Sequence, residues 1–462
     1  MRQSAGWRLA SKPFSGKNTG DRSKMNRARR DGQYLLLVGS LVFILIGVVL
    51  ENASSVTMID FKGLYYPARC FIQHCDPYRE SEVLRIYQAE EADLATAPSR
   101  ARLIATQYVY QPTAFSFTVL FAMLPWGPAH ILWMVLTLGS LVFASFLVWN
   151  IGADYAPIIS GGLIGLFLAN SELIVIIGNA AGIAIGLCII AVVCFFWERF
   201  VLFGILCFAI SLALKPHDTG LVWLYFLLAG GVYRKRALQT LLATVALCLP
   251  SVLWVWRVAP HWMQELHATI SAFSAPGGLS DPCPASTGGH GPGMIVDLQV
   301  AISYFWNDPR IYNTASYLVF AFLLIVWVYV TLRSRPSPAR TWLALAAIAA
   351  LTMLPFYHRQ NDTLLLLLTV PACAMLWAEG GRIGRLALLV NATGLVLTGF
   401  LPWAFFYSLT GNLHLPATQL SGKIMMAVQA LPPPLILLVM GIFYLCVYVS
   451  RSYASDVSAE LA

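Results

Sequence analysis

Charge is what this chain has least of. Asp, Glu, Lys and Arg make up 11% of its 462 residues, where soluble domains carry about 25%. A water-facing surface cannot be built from so little, which excludes a soluble enzyme, a disordered protein and a DNA-binding factor. A disulfide framework is also lacking. Six of the nine cysteines (Cys188, Cys194, Cys207, Cys248, Cys373, Cys446) sit in apolar runs. Of Cys70, Cys75 and Cys283, which fall in loops, the first two can bridge if their loop faces an oxidising compartment. No fixed-period repeat is visible, nor an inverted repeat of the kind many transporters show. His217 and His358 are too few and too scattered to argue for zinc, and no carboxylate cluster argues for a divalent ion.

What is present is apolar: 58% hydrophobic residues and a mean hydropathy of +0.68. The apolar residues come in blocks of about 15–22, enough to cross a hydrocarbon core of about 30 Å. The chain reads as an all-α polytopic membrane protein. Spans are expected near 34–50, 129–149, 157–173, 181–197, 200–214, 219–233, 237–257, 314–332, 341–355, 363–378, 385–401 and 431–449. Nine of the thirty Lys and Arg precede residue 34 (Arg2, Arg8, Lys12, Lys17, Arg22, Lys24, Arg27, Arg29, Arg30). Such a basic head beside a long apolar run holds the N-terminus in the cytoplasm, and no small-residue cleavage site follows it.

One apolar stretch, 113–124, must not cross. Lying along the surface or re-entering, it leaves Arg234-Lys235-Arg236, Arg333/Arg335/Arg340 and Arg382/Arg385 on the same side as the basic head, as the positive-inside tendency requires. It is also short for a span, about 12 residues between Pro112 and Pro125. The expected organisation is therefore a basic cytoplasmic segment 1–33, one transmembrane domain 34–449 with about twelve helices, and a cytoplasmic tail 450–462. Loops 51–128 and 258–313 lie outside, with both termini inside. The short connections and absence of retention signals fit a bacterial plasma membrane.

Ionisable groups gather on that outer face. Asp60 follows the first apolar run by ten residues, inside the patch Asp60-Phe-Lys-Gly-Leu-Tyr65-Tyr66-Pro-Ala-Arg69, with Asp76-Pro77-Tyr78 beyond. A carboxylate near low-dielectric surroundings holds its proton more tightly unless paired, which suits a general base. The plainer alternative is a solvated loop carboxylate paired with Lys62 or Arg69. Lys215-Pro216-His217-Asp218 interrupts two short apolar blocks. Lys215 there is either a lysine snorkelling to the interface or a point charge for a lipid phosphate. Tyr357-His358-Arg359-Gln360-Asn361-Asp362 is more polarity than a turn needs. Glu172 and Asn179 flank a glycine-containing bend.

Asp60…Tyr65-Tyr66…Asp76-Pro77-Tyr78, followed by Tyr110-Gln111-Pro112 and Leu124-Pro125, resembles the first outer loop of glycosyltransferase family 87, polyprenyl-phosphate-mannose-dependent enzymes of the GT-C superfold. The likeness continues through Gly178-Asn179, Ala213-Leu214-Lys215-Pro216 and Leu354-Pro355-Phe-Tyr357-His358, covering roughly 34–378. Departures are Tyr-Gln-Pro for Tyr-Pro-Pro, Asn179 for Gln, and a Gly/Pro-rich loop over 276–293. The resemblance implies a GT-C-like fold whose outer loop forms surface helices over a cavity. It makes Asp60 the catalytic base and sets Lys215 and His358 around the donor phosphate and sugar.

The expected activity is inverting transfer of a hexose, mannose by resemblance, from a polyprenyl-phosphate donor to a lipid or glycan acceptor. Nucleotide sugars are cytosolic, so an outer-face site argues for the lipid donor. Substrate-binding residues are expected at Tyr65, Tyr66, Arg69, Tyr78, Asn179, Lys215, His217, His358, Arg359 and Asp362, with Trp262 as a further aromatic. The leaving group is a monophosphate ester, so protein cations can suffice; no cofactor, no metal and no nucleic-acid partner are expected. Competing readings are a transporter or flippase, which should carry ionisable residues at mid-depth, and a non-catalytic binder of lipid-linked sugars, which would not need Asp60.

Overall fold

A computed structural model describes residues 19–54, 57–90, 99–283, 295–413 and 419–460. Among the described residues the chain is helical, with no strand. The first part comprises α1 (Thr19–Ala53), α2 (Ile59–Ile72), α3 (Glu80–Glu90), α4 (Ser99–Thr106), α5 (Phe115–Ala122), α6 (Trp126–Gly152), α7 (Pro157–Leu168), α8 (Leu173–Ile177) and α9 (Ala181–Trp197). It continues with α10 (Val201–Leu214), α11 (Pro216–Leu228), α12 (Gly231–Val258), α13 (Trp262–Ser274), α14 (Leu298–Ser303), α15 (Pro309–Arg333) and α16 (Pro338–Leu351). A 3-10 helix over Gln360–Thr369 leads into α17 (Val370–Glu379), followed by α18 (Gly381–Leu397), α19 (Phe400–Leu413), α20 (Leu420–Ala430) and α21 (Pro432–Glu460).

Seven helical segments among the described residues are long and apolar enough to cross a membrane: Ser23–Ala53, Trp126–Gly152, Pro157–Ile177, Gly231–Val258, Pro309–Arg333, Gln360–Glu379 and Pro432–Ser452. The other five expected spans are shorter helices: α9 and α18 have 17 residues, α10 and α16 have 14, and α11 has 13. At about 1.5 Å per residue a 14-residue helix is about 21 Å long, less than a hydrocarbon core needs. Burial accounts for two of them. Every residue of α16 from Thr341 to Leu351 is buried, as is nearly all of α9, so neighbouring helices rather than lipid surround them. The longer α1, α12 and α15 instead expose wide apolar faces, with Leu242 at 70% and Phe322 at 68%.

Two expected boundaries fall within continuous helices. No helix break falls at residue 33, because α1 begins at Thr19 and carries Lys24, Arg27, Arg29 and Arg30 continuously into the apolar run. No helix break separates 449 from 450 either, since α21 runs on to Glu460. The segment 113–124 forms a 3-10 turn, Pro112–Ala114, leading into the 8-residue α5, too short to span. Of the Gly/Pro-rich loop 276–293, residues 284–293 lie outside the described residues.

Small residues bring α1 against α7. A Cβ on Gly39 would strike Gly165, one on Gly165 would strike the Leu35 carbonyl, and one on Gly161 would strike Gly32. Close backbone approach of this kind is how helices pack where lipid removes the hydrophobic drive between them. Helices α2 to α5 gather around a second apolar cluster containing Phe61, Tyr65, Tyr66, Phe71 and Trp133. The second long loop joins the same end of the molecule. Arg79 meets Glu265 of α13 at 3.6 Å, and Ile295 pairs in an antiparallel bridge with Arg359.

Candidate functional site

Glycine 178 sets the site's first wall. It ends α8 with φ of 66°, a conformation that favours glycine, and its carbonyl accepts the Trp133 indole N–H at 2.9 Å. A Cβ there would strike the Met58 sulfur. The Met58 amide in turn donates to the Ile176 carbonyl at 2.8 Å. The bend therefore fixes where α2 begins. Asn179 follows with both ends of its amide in use: Oδ1 accepts the Ala181 amide at 2.9 Å, while Nδ2 donates to Asp60 Oδ2 at 2.6 Å. Asp60 sits in the first turn of α2. Burial raises its pKa above the ordinary carboxylate value, with Arg359, the Asn179 hydrogen bond and Lys215 pulling the other way.

Lys215 forms the second wall. An extended residue (φ −142°) ahead of Pro216, it separates α10 from α11, as the residue before a proline prefers. Only 5% exposed, its ammonium lies between two carboxylates, 2.5 Å from Asp362 Oδ1 and 3.2 Å from Asp218 Oδ2. A buried charge demands such partners. Asp362 spends its other oxygen on the Arg359 amide, at 2.7 Å.

The third wall is the strand-like stretch 357–359. His358 is fully buried, its Nδ1 lies 2.7 Å from the Phe356 carbonyl, and its own carbonyl accepts the Val296 amide at 2.9 Å. Burial holds its pKa below the ordinary histidine value. Its Nε2 faces Asp218 Oδ1 at 3.6 Å, while His217 Nε2 approaches the same oxygen at 3.1 Å. The Arg359 side chain bonds to the Tyr357 hydroxyl and donates to the Leu279 carbonyl at 3.0 Å. Nearby, Asp297 caps α14 through Oδ1, which accepts the Val300 amide at 3.2 Å. Burial pushes its pKa up to about 7.

Asp60, Asn179, Lys215, His217, His358, Arg359 and Asp362 thus come together from four separate stretches of sequence. Four expected site residues do not join them. Tyr65 and Tyr66 are 0% exposed; Tyr65 packs on Trp126 and bonds the Leu124 carbonyl at 2.8 Å, and Tyr66 packs on Tyr87. With both faces covered, neither has room for a sugar. Tyr78 is buried, its hydroxyl on the Tyr110 carbonyl at 3.0 Å, with Trp262 against its ring. Arg69 pairs with Glu90 at 2.7 Å and donates to the Ala122 carbonyl. These residues hold the loop's helices together. Cys70 and Cys75, left open by the sequence, form a disulfide.

Two participants were missed. Asp218 is 1% exposed and central to the cluster; its only signal was adjacency to Lys215 and His217, and a carboxylate beside an expected phosphate site looks wrong in charge. Tyr110, noted only within Tyr-Gln-Pro, lies within electrostatic reach of Lys215, Asp60 and Asp362. No protein-family profile, curated protein or solved structure matches this chain.

Proposed function

We propose that this protein is a membrane-embedded inverting glycosyltransferase. It moves a hexose, mannose by its resemblance to glycosyltransferase family 87, from a polyprenyl-phosphate donor to a lipid or glycan acceptor. The reading includes a GT-C-like arrangement of about twelve membrane-embedded helices, with the shorter ones in the interior. It sets the site on the extracytoplasmic face of the plasma membrane with both termini inside.

The observation that carries it is a half-buried carboxylate lying within the field of a buried lysine and a half-buried arginine. Asp60 has a raised proton affinity and is aimed by Asn179, while Lys215 and Arg359 lie within its field. In the proposed reaction Asp60 takes the proton of an acceptor hydroxyl as that oxygen attacks the anomeric carbon. The bond from that carbon to the phosphate oxygen breaks on the opposite face, inverting configuration, and the phosphate departs toward Lys215 and Arg359. Preorganised charges of this kind are worth about 3–4 kcal/mol per key group.

The test is incubation of purified protein with radiolabelled polyprenyl-phosphate hexoses and crude membrane lipids. The proposal expects label to pass into one lipid or glycan whose mass rises by one hexose. Donor that binds but is never consumed would support the non-catalytic reading instead.

A further inference from the structure

His217, Asp218 and His358 each offer a ligand atom within 4.8 Å of the other two. We propose that His217 Nε2, Asp218 Oδ1 and His358 Nε2 bind one divalent transition-metal cation. The chain's histidines look too scattered in sequence for this, and it is the fold that brings residues 217 and 358 together. The spacing fits such an ion. Zinc-to-nitrogen and zinc-to-oxygen bonds of about 2.0–2.2 Å in a tetrahedron set ligands about 3.3–3.6 Å apart. The two contacts on Asp218 Oδ1 are 3.1 Å, to His217, and 3.6 Å, to His358.

Two further observations point to a ligand. The Phe356 carbonyl can only accept, so His358 Nδ1, 2.7 Å away, carries the proton. That leaves the Nε2 lone pair facing Asp218. An imidazole oriented by a backbone carbonyl in this way is the usual second shell of a metal-bound histidine. Next, His358 Nε2 and Asp218 Oδ1 are buried and make no hydrogen bond among the described residues. Lys215 approaches only Oδ2 and shares its charge with Asp362, so Oδ1 is left to the two imidazoles.

The donor set names the class of metal. Two imidazoles and a carboxylate suit zinc and its neighbours rather than calcium or magnesium, which prefer all-oxygen shells. The His217 side chain remains 35% exposed, which gives an ion a way in. Three protein ligands leave a position for a phosphate oxygen. Binding of the ion stands on the geometry alone; its contact with the donor rests on the function proposed above.

The experiment uses full-length protein in detergent, stripped with a chelator and titrated with Zn2+ and with Co2+, whose visible spectrum reports tetrahedral nitrogen and oxygen ligands. One equivalent per chain is expected, bound at least about tenfold more weakly by His217→Ala. That variant changes a partly exposed side chain, and Asp218→Asn is compared alongside it with circular dichroism to confirm folding. Metal bound by both variants as tightly as by the wild type, or no stoichiometric uptake by the wild type, overturns the proposal. Hexose transfer measured in parallel separates the two ideas. Stoichiometric binding without transfer upholds the metal site and refutes the enzyme, whereas transfer without binding does the reverse.

Discussion

Replacing Lys215 by methionine tests the architecture of the site most severely. The ammonium is 2.5 Å from Asp362 and 3.2 Å from Asp218, and all three side chains are at most 6% exposed. At an effective dielectric of about 20, attractions at these distances are about 5–7 kcal/mol each. Desolvation of the three charges already offsets much of that. Methionine fills nearly the same volume, so the loss is electrostatic: two buried carboxylates lose their shared cation. Removing one member of a buried pair costs about 3–5 kcal/mol, and Lys215→Met should lose that much. Lys215→Met combined with Asp362→Asn removes one of the stranded charges and should recover more than half of the loss. Thermal unfolding in detergent, followed by the fluorescence of the chain's 14 tryptophans, reads both. A Lys215→Met protein as stable as the parent, or a double variant weaker than the single, refutes the reasoning.

Gly165→Leu drives a side chain into the Leu35 backbone and should destabilise by about 1–3 kcal/mol or more. Gly139→Leu, where nothing lies within 4 Å of an added Cβ, should be silent in the same melt. Asp297 ionises near 3.8 when unfolded and at about 7 when folded. Its contribution to stability is therefore fullest below pH 3.8 and falls as pH rises to about 7, by up to about 4 kcal/mol. Asp297→Asn keeps the cap and should flatten that part of a pH-dependent melting series; an unchanged slope contradicts the assignment. Asn179→Ala removes the hydrogen bond that favours ionised Asp60. The acidic limb of the transfer pH profile should then move to higher pH, and a shift to lower pH would oppose Asp60 as the base.

Membrane class was legible because apolar blocks and sparse charge are composition, and composition survives folding. The shortness of the helix within 113–124 was legible from its bracketing prolines. Individual helix lengths were less so. Blocks 181–197 and 341–355 resemble lipid-facing spans, because hydropathy cannot distinguish a residue facing lipid from one facing another helix. The 357–362 run was legible as more polarity than a turn needs, whereas Asp60, Asn179 and Lys215 each had an ordinary local reading and stood out through the family resemblance. Tyr65 and Tyr66 misled for the opposite reason: aromatic residues beside a polar patch look like a sugar platform, and only packing reveals that their faces are taken. Asp218 escaped notice because its role depends on His358, 140 residues away, and no local pattern carries that pairing.

The most direct measurement compares Asp60→Asn with the parent in two assays on the same preparation: hexose transfer from a polyprenyl-phosphate donor, and binding of that donor. The amide keeps the shape of the side chain and the partner at Asn179 but cannot take a proton. Transfer should fall by about 10²–10⁴-fold while donor binding persists. Undiminished transfer by that variant contradicts the central claim.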